Sequence, residues 1–393
     1  MRKNNKEKRK ICFPILSRAY YGRRKLLLEK LNNHPRFDLQ LVVGGAVLLD
    51  KYSHDLFSEI ENSGFNISEK LFNVIEGGNH VVMAKTASLI GLEITNVFYK
   101  TNPDIVIVEG DRFEQLAVAM SAAYLNKTLV HIEGGDVSGN IDESVRHAIT
   151  KLSHIHFVTN KDSYSRVVRM GENPKYVFNV GSLDVEYAAS MKDPDIASLN
   201  KLINAKGAGS QIDLNKDFLI VIYHPVTSDT ENRRNTEILF ESIADLGLPI
   251  LWFWPNNDAG TNEVSESIRH FREKYKSLCE NFRFFTNLSS EDFISILKKA
   301  ACVVGNSSAG IKECSYFGIP VVNVGSRQCG RLRAENVVDV GHNFKQIKKA
   351  VKEQVSVGKY KSFKIYHRPN SSAKVIDTLS KINLYTQKRF YGF

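Results

Sequence analysis

With 393 residues and 42% hydrophobic content, the chain exceeds one compact core and predicts two α/β domains, with no case for wholesale disorder. The formal charge of +10 invites a nucleic-acid partner, yet six Lys/Arg fall in Met1–Lys10, more follow His342, and no base-stacking motif accompanies them, so no nucleic-acid partner is expected. The five cysteines form no CxxC pair, there is no signal-peptide core, and no apolar run nears the roughly 20 residues of a membrane span; a cytoplasmic chain without disulfides, zinc or membrane insertion is expected.

Residues 1–10 read as a basic tail outside the fold. Strand candidates follow at Ile11–Leu16, Leu39–Val43, Ile105–Val108, Leu129–Ile132, Ile155–Val158 and Val177–Val180, separated by helical patterns such as Arg23–Leu31, Ala84–Phe98 and Phe113–Leu125. Strands alternating with helices imply a parallel sheet with right-handed crossovers. The pattern loosens from Met191 to Asp217, then restarts at Phe218–Tyr223, Ile250–Phe253, Phe282–Phe285, Cys302–Val304 and Val321–Val324. The expected architecture is α/β: two Rossmann-like, doubly wound domains facing across a cleft, residues 11–188 and 189–374. The helical segment 375–393 is free to return to the first domain.

Chemistry-bearing residues gather at predicted strand ends. Ile105–Glu109 runs into Gly110, Asp111 and Arg112, and Thr128–Ile132 runs into Glu133, Gly134, Gly135 and Asp136. In open α/β sheets ligands bind where strands empty into helices. Asp111 either caps the following helix or pairs with Glu133 as two carboxylates whose pKa values are driven apart. Asp142 is expected to cap a helix with the apolar stripe Ile141, Val145, Ala148, Ile149 and Leu152. In the second half, Gly305-Asn-Ser-Ser-Ala-Gly places Ser307 and Ser308 at a helix start, where free N–H groups favour an anion such as a diphosphate. His224, before Pro225, ends a strand and is aimed at the cleft; Asn256 and Asp258 repeat that layout. Arg327, Arg331 and Arg333 either clamp phosphate or face solvent. His154 and His156 alternate on a strand without metal-ligand spacing.

Taken together, these motifs resemble the hydrolysing UDP-N-acetylglucosamine 2-epimerases, which make N-acetylmannosamine for sialic acid and related nonulosonic acids. The resemblance rests on Ser17-Arg-Ala with Tyr21-Gly, Glu109-Gly-Asp-Arg-Phe, the long run from His131 to His154, Pro255-Asn-Asn-Asp-Ala-Gly, Gly305-Asn-Ser-Ser-Ala-Gly-Ile and Gly325-Ser-Arg-Gln, in order over about Ile11 to Val340. It implies a GT-B-like fold holding a UDP-sugar between the domains, elimination of UDP through a 2-acetamidoglucal, and addition of water with inversion at C2. By motif position Asp111, Glu133 and Asp142 match the family's essential carboxylates, with Glu143 as an adjacent alternative, and His224 matches a histidine near the diphosphate. Arg18, Arg112, Asn256, Ser307, Ser308, Glu313 and Arg327 match nucleotide-binding positions, Glu313 at the ribose. The resemblance further implies no metal or redox cofactor and a homodimer or higher homo-oligomer. Tyr20 and Arg23-Arg24 depart from the family pattern in a loop facing the sugar, which opens the choice between UDP-N-acetylglucosamine and a 4-modified sugar such as the 2,4-diacetamido sugar of the legionaminic-acid route. A non-hydrolysing 2-epimerase and a GT-B glycosyltransferase are the competing readings.

Overall fold

The computed structural model describes residues 8–193, 195–256, 258–276 and 278–392; the side chains of residues 18, 19 and 50–55 also lie outside that description. Seven strands form the first sheet: β1 (Arg9–Ile15), β2 (Phe37–Gly44), β3 (Ile67–Leu71), β4 (Ile105–Glu109), β5 (Thr128–Ile132), β6 (Ile155–Val158) and β7 (Val177–Asn179), in the order β3-β2-β1-β4-β5-β6-β7. All neighbours pair parallel. The second sheet contains β8 (Ala208–Gly209), β9 (Leu219–Ile222), β10 (Ile250–Phe253), β11 (Phe282–Phe285), β12 (Cys302–Gly305), β13 (Val321–Val324) and β14 (Val337–Val340), in the order β14-β13-β12-β9-β10-β11-β8. Among the described residues only the two-residue β8 runs antiparallel. Helices cover both faces of each sheet, as near-continuous apolar strands require.

Each sheet separates two apolar cores. Phe13, Leu41, Ile107 and Val130 pack on one face of the first, and Cys12, Val42, Val106 and Leu129 on the other, the period-2 division of one strand set between two faces. In the second sheet the stacked rings of Phe240 and Trp252, 3.7 Å apart between centroids, anchor one core. In both sheets the order of the parallel strands reverses once, between β1 and β4 and between β9 and β12. Crevices open at such switch points beyond the carboxyl ends of the strands.

Several boundaries move from those expected. The sheet begins at Arg9, whose N–H donates to Arg36 O at 2.8 Å, so Arg9 and Lys10 belong to the fold, and of the expected tail residues 1–7 lie outside the described residues. The expected division at 188/189 falls inside the helix Leu183–Ser190, whose Val185 and Tyr187 serve different clusters. The last helix begins at Ser371, and its Val375, Ile376 and Leu379 complete the core of the first sheet. Strands β3, β8 and β14 have no counterpart in the sequence reading because they lie at or beside sheet edges and carry short or polar sequences. Helix His80–Thr101 is, by length and composition, apolar enough to cross a membrane, which the search for apolar runs passed over because Lys85 and Glu93 interrupt it. Here Ile90, Ile94, Val97 and Phe98 bury it against the first sheet.

Candidate active site

The two switch points face each other, and the cleft between them gathers most of the predicted residues. Register Glu109↔Ile132 places the turns after β4 and β5 side by side. Gly110 takes φ +62°, turning the chain so that Asp111 and Arg112 point over the sheet edge. Glu133 itself has φ +66°, a left-handed conformation that costs a non-glycine residue roughly 1–3 kcal/mol and persists only where its surroundings impose it. There Glu133 accepts from Ser182 Oγ at 3.1 Å and from Lys312 Nζ at 2.6 Å, the latter reaching across from the second domain.

Asp142 opens the helix Asp142–Leu152 without capping it; Ile141 holds the cap position and no side chain caps the helix. The capping expectation fails because the preceding loop is already closed by other bonds: Asn140 Nδ2 donates to Asp142 Oδ2 at 2.9 Å, and Glu143 accepts from Ser138 N at 2.6 Å. One turn on, Arg146 is buried and donates to Asp111, to Ser138 Oγ at 3.2 Å and to Asp136 O at 3.0 Å. Burial alone would raise Asp111, but Arg146, Arg331 and Arg327 outweigh it and hold its carboxyl well below the usual range. Burial and the charge of Asp111 push Asp142 the other way, up to about 6, with Arg327 opposing at 3.6 Å. Below about pH 6 a carboxylate and a carboxylic acid thus coexist in one cleft.

On the opposite wall, Asn306 locks the second switch point: its N–H donates to Ile222 O, and its side chain exchanges two 2.8 Å bonds with the backbone of His224. Asn256 N donates to His224 Nδ1 at 3.3 Å, which assigns the proton to Nε2. Ser307 caps the one-turn helix Ser308–Ile311 and, with Ser308, His224, Arg327 and Arg331, lines the cleft. Arg331 also donates to Val137 O at 3.3 Å, so of the two readings it faces the cleft, whereas Arg333 turns away to Asp339.

Other predicted residues have different surroundings. Arg112 is held between Glu114 and Asp258, 3.1 Å from each, the second contact crossing the cleft. Asn256 lines the cleft and donates to Asp258 Oδ2 at 2.5 Å. Glu313 is fully buried behind the lining residues, 3.0 Å from Arg23. Arg18 starts the helix Arg18–Asn32, and its side chain lies outside the described residues. Tyr20 and Arg23 line the cleft, but Arg24 does not face the sugar side: it is buried against Glu109 and Asp184. Position alone hid this, since one helical step of 100° separates a cleft-facing residue from a buried one.

Sequence reasoning missed Lys312 and Arg146. Arg146 lies inside the run His131 to His154 and Lys312 directly after Ile311, and only the 3.6-residue period, applied from Asp142 and Ser308, could have turned them toward the carboxylates.

A profile described as UDP-N-acetylglucosamine 2-epimerase matches residues 29–380. The chain belongs to the UDP-N-acetylglucosamine 2-epimerase family. Among relatives of this epimerase-family enzyme, the UDP-N,N'-diacetylbacillosamine 2-epimerase (hydrolyzing) of Legionella pneumophila is 33% identical over 383 residues, 96% of this chain and 97% of the relative. The UDP-N-acetylglucosamine 2-epimerase of Neisseria meningitidis is 31% identical over 95% of this chain and 96% of its own length. The crystal structure of UDP-GlcNAc 2-epimerase from Neisseria meningitidis bound to UDP-GlcNAc superposes with a TM-score of 0.77 at 17% identity, covering 95% of this chain and all of that one. The two-domain GT-B-like fold is therefore the family's fold.

Proposed function

We propose that this family member is a hydrolysing 2-epimerase that converts UDP-N-acetylglucosamine, or a 4-modified UDP-2-acetamido sugar, to UDP and a free sugar of inverted C2 configuration. The observation that carries the reading is the pair Asp111 and Asp142, held at opposite ends of the carboxyl range on one wall of the cleft that Ser307, Ser308, His224 and Arg327 line from the other. The proton at C2 is weakly acidic, so the ionised Asp111 serves as base while cationic and N–H groups stabilise UDP as it leaves. Asp142, protonated below about pH 6, returns a proton to C2 of the 2-acetamidoglucal. His224 Nε2–H supports the leaving phosphate, and Glu133, tied to Lys312, sets the space between the carboxylates. A relative named as hydrolysing along nearly the whole chain supports water, not UDP, as the group that adds. Such a product feeds nonulosonic acid and surface-glycan synthesis, and the five free cysteines fit a reducing, cytoplasmic setting.

Proton NMR of the protein with UDP-N-acetylglucosamine, and in parallel with UDP-N,N'-diacetylbacillosamine, in D₂O tests this directly. Free sugar with deuterium at C2 plus UDP is expected from at least one of them. A UDP-sugar of inverted C2 would establish the non-hydrolysing reaction instead.

The active form is proposed to be a homodimer. Leu92, Tyr99 and Val81 recur on one face of helix His80–Thr101, 63–85% exposed, beside Met120 and Tyr124 of the packed helix Phe113–Tyr124, 45% and 83% exposed. Large apolar side chains exposed together on two packed helices mark an interaction surface. Leu92→Asp combined with Tyr124→Asp is expected to halve the mass measured by light scattering, and an unchanged mass would place the contact elsewhere.

A further inference from the structure

Beside the paired carboxylates lies a polar corner that the elimination does not use. Asp136, three residues past the strained turn at Glu133 and one past Gly135, is 4% exposed. Its Oδ1 accepts from Thr159 Oγ1 at 2.8 Å and from Ser163 Oγ at 2.5 Å, which fixes the carboxylate. Its Oδ2 is buried, accepts no hydrogen bond from the described residues, and belongs to a residue that lines the cleft. Facing it at 3.9 Å is the ammonium of Lys312, itself buried and bonded to Glu133 Oε2 at 2.6 Å. Buried polar atoms are satisfied in native proteins, by water where the protein offers nothing. An oxygen placed about 2.8 Å from both groups bridges this gap as an acceptor from Lys312 and a donor to Asp136.

We propose that Asp136 and Lys312 hold the water molecule that hydrolysis consumes. The inference rests on the hydrolytic reading above and names the residues of its second half-reaction. In that half-reaction C2 of the 2-acetamidoglucal takes a proton from Asp142. The water oxygen forms the bond to C1, and the water proton passes to Asp136 Oδ2 and on to solvent. The C1=C2 double bond is consumed and no oxidant or reductant enters. Lys312 contributes orientation: its bond to Glu133 holds the ammonium at the corner, so it acts as a positioning residue. Burial would raise Asp136, but Lys312, Arg331 and Arg146 outweigh it and keep the carboxylate ionised, ready to accept.

The test supplies synthetic 2-acetamidoglucal, and separately the UDP-sugar the wild type turns over, to wild type, Asp136→Asn and Lys312→Met. Asn keeps an oxygen for Thr159 and Ser163 while replacing the acceptor at Oδ2. Hydration of the glucal by Asp136→Asn is expected to fall by roughly 10²-fold, the lower range for a positioned proton acceptor. Expulsion of UDP falls less, so the glucal accumulates and its vinylic C1 proton appears in the NMR spectrum. Lys312→Met shows the same partition and Lys312→Arg restores much of the hydration. Equal losses of hydration and expulsion, with UDP affinity retained by calorimetry, would mean a merely structural role and overturn the proposal alone. A wild type that returns only UDP-sugar overturns it together with the hydrolytic reading.

Discussion

Asp142→Asn is expected to lower turnover by about 10²–10⁴-fold while UDP binds with near-normal affinity. The asymmetry follows from where the groups sit. Asp142 stands on the first-domain wall, whereas Ser307, Ser308 and His224 belong to the second domain and keep their own bonds. Its carboxyl is bonded to Asn140 and lies 3.6 Å from Arg327, so an amide of the same size leaves the helix start intact. Asp111→Asn loses turnover to a similar degree but is the less clean variant, because it strips the buried Arg146 of its strongest partner. The pH dependence follows from the raised carboxyl. A group whose folded pKa is about 6 donates a proton below that value, so kcat/KM should fall as pH rises through about 6 and plateau on the acid side until other groups titrate. Turnover by both Asn variants within a few-fold of wild type, or a profile flat from pH 5 to 8, would remove Asp142 from the acid role.

The strands that carry the site were the most legible part of the chain. β6, β10, β11 and β13 match the expected apolar runs residue for residue, since strands buried on both faces write themselves as continuous Val/Ile/Phe segments. The strand ends then located Asp111, Glu133 and His224 without side-chain information. What sequence could not yield was the partner of each charge. Glu133 meets Lys312 at a separation of 179 residues, and Arg24 meets Asp184 at 160. These contacts exist only because two sheets and the linking helix Leu183–Ser190 close on one another. A neighbouring pair such as Arg23 and Arg24 looks like one basic feature in the chain, yet the helix sends one to the cleft and the other to the core. Asp136 illustrates the opposite limit: its motif was conspicuous, but its unpaired oxygen is a property of the fold.

Arg24→Met is expected to be the most destabilising single substitution near the site, by about 3–5 kcal/mol. Arg24 is 1% exposed and holds Glu109 and Asp184, at 2.6 Å for the latter, with Glu133 at 3.8 Å. Removing it takes away the cation bonded to Glu109 and leaves Asp184 with the more distant Arg23, at 3.6 Å, to offset its desolvation. The two partners respond differently. Burial raises Glu109 to about 7 in spite of Arg24, so this acid is close to half protonated at neutral pH and tolerates the loss by taking up its proton fully. Asp184, by contrast, is held far below its ordinary value: burial would raise it, and Arg24, Arg23 and Lys312 outweigh that. A depressed acid contributes stability above its unfolded pKa of about 3.9 and loses it as pH falls through the folded value. The gap between wild type and Arg24→Met should therefore be widest near pH 7 and shrink as the medium becomes acid. Thermal unfolding at about pH 7 and about pH 2.5, on either side of the onset of that loss, measures it, with about 2–4 °C expected per kcal/mol for a domain of this size. Adding Glu109→Gln to Arg24→Met should recover less than adding Asp184→Asn, because Glu109 is already largely able to neutralise itself. Greater recovery with Glu109→Gln would mean that Glu109, not Asp184, is the charge Arg24 was retained to balance.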